Sequence, residues 1–272
     1  FIYNYRAVAF LDVLGFKEKL KGFQLEAVDH YTSVGDEDYG EGEDVPIPVY
    51  YSKKAAEFIE TFKKATSKLD PEVFNYFLFS DNICITGKDN QNENSLTDLL
   101  FVICELYYEF AKQGYFLRGG IDFGLFVDDE TLAVGLPLAI AYELETKIAL
   151  FPRIVLSDNF VKQFETYDLS SSSEFSTLIS KSCQINYLNV FNQVFKTDQK
   201  KEFFANFNEK IKSNLIDNER NEHIYMKFTW LADDLNRFID LYTGSIAYYD
   251  PDDEPTEDYI NYIKPLKIDY AY

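Results

Sequence analysis

Two aspartates stand where apolar strands run out. In Arg6-Ala7-Val8-Ala9-Phe10-Leu11-Asp12-Val13-Leu14-Gly15-Phe16 an apolar run meets Asp12 and then a tight turn at Gly15. In Phe77-Leu78-Phe79-Ser80-Asp81-Asn82-Ile83-Cys84-Ile85 the pattern predicts a β-hairpin with Asp81 at its tip. A buried strand rarely carries a carboxylate without compensation, because an unpaired buried charge is very costly. A divalent cation is a common compensation, and magnesium prefers one or two carboxylates plus substrate phosphates to a full protein cage. A third, glycine-rich strand, Leu117-Arg118-Gly119-Gly120-Ile121-Asp122-Phe123-Gly124, follows in order. Together the three segments predict a metal-dependent phosphate site. The plainer alternative is that Asp12 ends a strand and Asp81 fills a turn position, where Asp is common; the order of elements favours the metal reading.

The neighbours of these residues sharpen the expectation. Leu14, Gly15 and Phe16 follow Asp12 and begin a short helix whose backbone N–H groups suit a triphosphate. Paired glycines within a strand let another backbone or a ligand approach closely. Arg118 beside them is either a phosphate or base contact or one half of a structural ion pair. His30 and His223 are isolated, and no Ser-His-Asp, Cys-His, Walker or Rossmann pattern stands out.

The elements that must position these residues are legible in outline. A strand is expected over 6–12, a loop-rich stretch over 22–50, and a helix from Ser52 to Lys68, where Ala55, Phe58, Ile59 and Phe62 fall at helical spacing. The hairpin comes next, then a helix from Asn94 to about Gln113, a strand over Phe116–Gly124 and a short partner at Thr131–Val134. A helix over Leu136–Leu150, a strand over Pro152–Leu156, a short helix near 158–164 and a strand at Gln184–Val190 complete the α/β part. The order β-α-ββ-α-β predicts an α+β, ferredoxin-like split unit with a mixed, mostly antiparallel sheet and helices on one face. Residues 1–195 form the expected main domain. Residues 196–272 form a C-terminal helical appendage with amphipathic helices over 200–216 and 218–241 and an acidic, Tyr-rich tail.

Composition bounds the remaining choices. The chain has 272 residues, 46% of them hydrophobic and 17% aromatic, enough for a folded body with a sizeable core. The net charge of −20 argues against a nucleic-acid polymer as partner, since such binding rests on Lys and Arg. It leaves room for a nucleoside triphosphate, whose oxygens share a metal with acidic ligands. No apolar run reaches the roughly 18 residues of a membrane span, so no membrane association is expected. Cys84, Cys104 and Cys183 read as reduced residues, which points to a cytoplasmic protein. The acidic run at 35–44 lacks the spacing of a calcium-binding EF-hand and reads as a solvated loop.

The motifs in this order resemble the class III nucleotidyl cyclases. Their first strand, F-x-D-I-x-G-F, corresponds to Phe10-Leu11-Asp12-Val13-Leu14-Gly15-Phe16, and their hairpin aspartate to Asp81. Their R-x-G-I-x-x-G strand corresponds to Arg118–Gly124, their next helix loosely to Gly135–Glu145, and their I-x-x-S strand to Ile154–Ser157. Purine cyclases carry an Asn and an Arg on that helix, where this chain has Ala139 and Glu143. Their base-reading lysine and its acidic partner correspond to Phe77 and Leu132. The forms F-L-D-x-L-G-F, F-S-D-N, L-R-G-G-I, A-Y-E-L-E and K-F-T-W-L are similar to the Pycsar pyrimidine cyclases of bacterial anti-phage defence.

The resemblance implies conversion of UTP, or second CTP, to cyclic UMP or cyclic CMP, which then activates a downstream effector. It implies two Mg²⁺ or Mn²⁺ ions at Asp12, Val13 and Asp81, catalysis by Asp12, Asp81 and Arg118, and substrate binding by Leu14, Gly15, Phe16 and Phe77. It also implies a homodimer. A nucleotide-binding module without catalysis and an adenylate cyclase with an altered pocket are the alternatives.

Overall fold

The computed structural model describes residues 2–30, 32–34, 47–88, 94–129, 132–169, 178–191, 200–244 and 257–270. The acidic run at 35–44 lies outside them. In chain order the elements are β1 (Asn4–Val13), α1 (Phe16–Asp29), β2 (Thr32–Val34), β3 (Ile47–Val49), α2 (Lys53–Thr66), β4 (Phe74–Phe79), β5 (Asn82–Gly87) and α3 (Asn94–Lys112). They continue with β6 (Leu117–Asp128), β7 (Ala133–Gly135), α4 (Leu136–Glu143), a π-helical segment (Leu144–Ile148), β8 (Ile154–Leu156) and α5 (Asp158–Thr166). Last come β9 (Ile179–Ser182), β10 (Ile185–Leu188), α6 (Lys200–Asp217), α7 (Glu222–Gly244) and α8 (Glu257–Ile263).

The chain divides into two compact units, Gly15–Ser67 and the remainder. In the smaller, α1 and α2 pack through Phe16, Phe23, Phe58 and Phe62, with the Phe16 and Phe58 rings 4.4 Å apart. Ser52 caps α2 by accepting from the Ala55 N–H at 3.1 Å, and its hydroxyl donates to Glu26 at 2.5 Å. The sequence read 22–50 as loop-rich, yet 22–29 complete α1; only Phe16 and Phe23 of that helix are buried, too sparse a stripe to announce it.

The larger unit is built on a sheet in the order β4-β5-β1-β6-β8-β10-β9, with β7 on β6. Within it β4, β5, β1 and β6 are antiparallel neighbours, the order of a ferredoxin-like split unit. Only the β6–β8 pair is parallel. The expected α+β class and mostly antiparallel sheet are therefore found. Residues 7–11 of β1 are all buried, so both faces of the central strand are covered. The face bearing Val8 and Phe10 packs on α4 through Ala141 and Leu138, and Tyr142 meets the Phe10 ring edge-on at 5.4 Å. α3 packs against β5, β1 and β6. Of α4 itself Pro137 and Ala141 are buried, while Leu136, Ala139 and Tyr142 are exposed.

Residues 200–244 do not stand apart from the sheet. Phe203, Phe204 and Phe207 of α6 are buried, and Phe207 packs on Tyr107, Phe116 and Phe191 with ring centroids 5.4–6.3 Å apart. The helices belong to the sheet's own compact unit, so the boundary expected at 195/196 does not separate these units.

The paired glycines have a definite cause. A Cβ on Gly120 would lie 2.2 Å from the Ala141 carbonyl oxygen, and one on Gly119 would lie 2.6 Å from the Phe10 carbonyl oxygen. Backbone, not ligand, approaches them. Gly120→Ala is expected to cost about 3 kcal/mol or to prevent folding, because neither obstructing atom belongs to a flexible side chain. Equilibrium denaturation checks this, and an unchanged midpoint would show that α4 does not press on β6.

Candidate functional site

Antiparallel register creates the site. Asp12 of β1 pairs with Arg118 of β6 on one side and with Asn82 of β5 on the other. Asp81 precedes Asn82 in the two-residue turn after Phe79, where Ser80 takes a left-handed φ of 59°. The turn brings the Asp81 carboxyl within hydrogen-bonding reach of Asp12. Asp12 and Asp81, predicted separately from their strand ends, therefore meet.

Arg118 stands between two acids. Its Nε donates to Asp12 Oδ2 at 2.9 Å, and its Nη2 lies 2.7 Å from Glu145 Oε1. Glu145 closes the A-Y-E-L-E form but was given no role from the sequence. It sits in the π-helical segment after α4 with its side chain only 3% exposed. Such bulges are frequent at functional sites, and here the bulge turns a charged residue inward. Its Oε1 is buried and, despite the ion-pair distance, receives no hydrogen bond among the described residues.

Crowding and burial set the protonation. Burial, with the Asp81 hydrogen bond behind it, pushes the Asp12 carboxyl up to about 7, although Arg118 pulls the other way. Burial also raises Glu145, with Arg118 and a hydrogen bond to Asp12 opposing the shift. The Asp12 carboxyl therefore tends to keep its proton below about 7, within hydrogen-bonding reach of Asp81. A buried carboxyl beside a second one, raised by desolvation, is a setting a divalent cation would suit. The pair fits the one or two carboxylates that Mg²⁺ takes beside phosphates. Among the described residues there is no group of three or more His, Cys, Asp or Glu side chains placed to hold a metal by themselves.

The other expected residues fall out differently. Val13 is buried, so only its main chain is offered to a ligand. The Leu14 N–H donates to the Phe116 carbonyl at 2.8 Å, extending the β1–β6 ladder, and is not available to phosphate. Gly15 adopts φ 71° before α1, and Phe16 is buried in the core of the smaller unit. Phe77 packs on the cluster of Val8, Phe10, Cys84, Phe126 and Ala141. Leu132 is 53% exposed. On α4, Ala139 is exposed, and Glu143 reaches Lys147 at 3.1 Å, away from the carboxylates. A shallow apolar groove of about 790 Å³ lies at the N-terminal end of α4, lined by Tyr5, Phe123, Leu136 and Pro137; none of Asp12, Asp81, Arg118 or Glu145 lines it.

No family model and no curated protein matches the chain. Among solved structures, it is similar to the monomeric guanylyl cyclase domain of the RhoGC fusion protein from the aquatic fungus Blastocladiella emersonii. The two are 11% identical with a TM-score of 0.39, over 68% of this chain and 94% of that one. Among the described residues no helix is long and apolar enough to cross a membrane.

The raised Asp12 carboxyl makes stability depend on pH in a definite sense. From the ordinary 3.8 to about 7 the unfolded state has lost this proton while the folded state keeps it. Stability is therefore greatest below 3.8 for this group and falls as pH rises towards about 7. Asp12→Asn removes that contribution, so its unfolding free energy should decline less steeply than the wild type's between pH 4 and about pH 7. Urea denaturation across this window measures both slopes, and identical slopes would mean that Asp12 titrates normally.

Proposed function

We propose that the chain is a nucleotidyl cyclase acting on a pyrimidine nucleoside triphosphate, UTP before CTP, to give the 3′,5′-cyclic monophosphate and pyrophosphate. The observation that carries the reading is the meeting of Asp12 and Asp81 at the joined ends of β1 and the β4–β5 hairpin. In this reading the pair, with the Val13 main chain, holds Mg²⁺ or Mn²⁺, two ions when substrate is bound. When bound, such ions neutralise charge on the phosphates and favour ionisation of the attacking hydroxyl. The ribose 3′-oxygen bonds to the α-phosphorus, the bond from that phosphorus to the bridging oxygen breaks, and pyrophosphate leaves. The hydroxyl proton passes to solvent or substrate, since no side chain is assigned as its base.

Arg118 holds Asp12 and Glu145 in place and, freed from one of them by substrate, contacts phosphate. The main chain at Gly15 and Phe16 takes part of the triphosphate; Leu14 serves through its position, its N–H being engaged. For the base, Phe77 is an apolar wall, and burying adenine's hydrogen-bonding edge against it without partners is unfavourable. A pyrimidine can stack there with less unpaired polar edge. The reading extends to a cytoplasmic homodimer in anti-phage defence, signalling through an effector that its cyclic product activates. A nucleotide-binding module without catalysis is the second reading, favoured by Arg118 being engaged by two carboxylates and by Ala139 and Glu143 supplying no cation.

The purified chain with Mn²⁺ and each of the four ribonucleoside triphosphates is expected to yield cyclic UMP as the main product, read by mass spectrometry. Asp12→Asn and Asp81→Asn should each lower the rate at least about a hundredfold, the loss of several kcal/mol of charge stabilisation. Cyclic AMP alone would overturn the base choice, and binding without any product would favour the second reading. Full activity in both variants would remove the metal pair from the chemistry.

A further inference from the structure

One arginine ties together the two elements whose side chains meet in the acidic cluster. Glu145 is carried by the π-helical segment, and Arg118, which it meets at 2.7 Å, is carried by β6. Between that segment and β8 lies Arg153, only 6% exposed. Its carbonyl accepts from the Gly119 N–H at 3.1 Å, so its main chain is fixed to β6 beside Arg118. Its side chain turns back, and Nη2 donates to the Ile148 carbonyl at 3.0 Å. Ile148 is the last residue of the π-helical segment, whose wide turn closes where the Ala149 N–H donates to the Leu144 carbonyl at 2.7 Å.

The guanidinium is held in turn by α7 and by the loop before β8. Its central carbon lies 5.5 Å from the centre of the Phe151 ring and 5.6 Å from that of Trp230, and the two rings stack on each other. Asp234 of α7 is engaged by Tyr187, which donates to it at 2.8 Å, and by Arg237. Burial works against the Arg153 charge, with Tyr187 and Asp234 opposing that shift. Among the described residues its Nε is buried with no hydrogen-bond partner. A buried cation that forgoes part of its hydrogen bonding is costly, and an apolar side chain of similar length would fill the same space against the two rings. An apolar side chain would not donate to the Ile148 carbonyl. Carbonyls at the end of a helix lack helical partners. Here the Leu150 N–H, at 2.9 Å, and Arg153 supply them.

We infer that Arg153 is a positioning residue of the candidate site: joined to β6 by its main chain and to the π-helical segment by its side chain, it sets where Glu145 meets Arg118. It acts on the site through Ile148 and Glu145. Its effect on turnover rests on the nucleotide reading, while its hold on Glu145 does not.

A double-variant cycle tests that hold without any ligand. Urea denaturation of the full chain gives the change in unfolding free energy on Glu145→Gln, first with Arg153 present and then with Arg153→Met, which fills the space without donating. Residues in one network are not additive, so the change in the Met background should be less than about half of that in the wild type. Arg153→Lys, which keeps a donor and loses the planar stack, should lie between, and it decides alone if the Met variant does not fold. Equal changes from Glu145→Gln with and without Arg153 overturn the proposal. In turnover of UTP with Mn²⁺, Arg153→Met should lower kcat at least about tenfold with KM within about threefold of wild type, the sign of misplaced groups and not of a lost substrate contact. A rise in KM alone, or a wild-type kcat, overturns it as well. A wild type that converts no nucleotide removes the cyclase reading and leaves the stability cycle to decide on Arg153.

Discussion

The Arg118 guanidinium between Asp12 and Glu145 is the contact around which this protein's site is organised. Removing one member of a mostly buried charge cluster leaves the others uncompensated, which costs far more than the pairs contribute when intact. The cluster is therefore a constraint on the fold as much as a product of it. β1 and β6 must pair in one register, since a slip of one residue would put Asp12 and Arg118 on opposite faces. The β4–β5 hairpin must close in two residues to deliver Asp81 to the same place.

Glu145 imposes the second constraint. It arrives on the π-helical segment, and that segment reaches the cluster because α4 lies directly on the backbone of β6 at Gly120. Close approach, loss of helical regularity and an inward-turned glutamate are thus one arrangement. Two acids that retain positions near a third, with Asp12 raised to about 7, make a site whose charge is unbalanced until a cation arrives. The proposed chemistry uses that imbalance.

How much of this was legible follows from range. The strands, the hairpin tip at Asp81 and the helices α2, α3, α6 and α7 announce themselves through local periodicity, and the split β-α-ββ-α-β order follows from their sequence. Asp12 and Asp81 were legible because a charge at the end of an apolar strand is conspicuous by itself. The role of Glu145 was not, because it is an ordinary charged residue on a helix until tertiary packing brings it inward. Arg118 was legible as a position, with the choice between ligand contact and ion pair left open; the structure shows its pair with Asp12 across the β1–β6 register. The paired glycines pointed correctly to close approach, and the structure identifies the approaching group as backbone. Helix α1 was expected only as a short helix, and its run to Asp29 escaped notice because only two of its residues enter the core.

The central claim is that Asp12 and Asp81 form a cation and phosphate site that surrenders a proton on loading. Mn²⁺ titration at pH 6.5 in two buffers of different ionisation enthalpy, with a non-cyclisable UTP analogue present, measures that proton directly. The account predicts proton release on Mn²⁺ binding to the wild type, with both binding and release lost in Asp12→Asn. Mn²⁺ binding of equal affinity in the two proteins, without proton release, would contradict it.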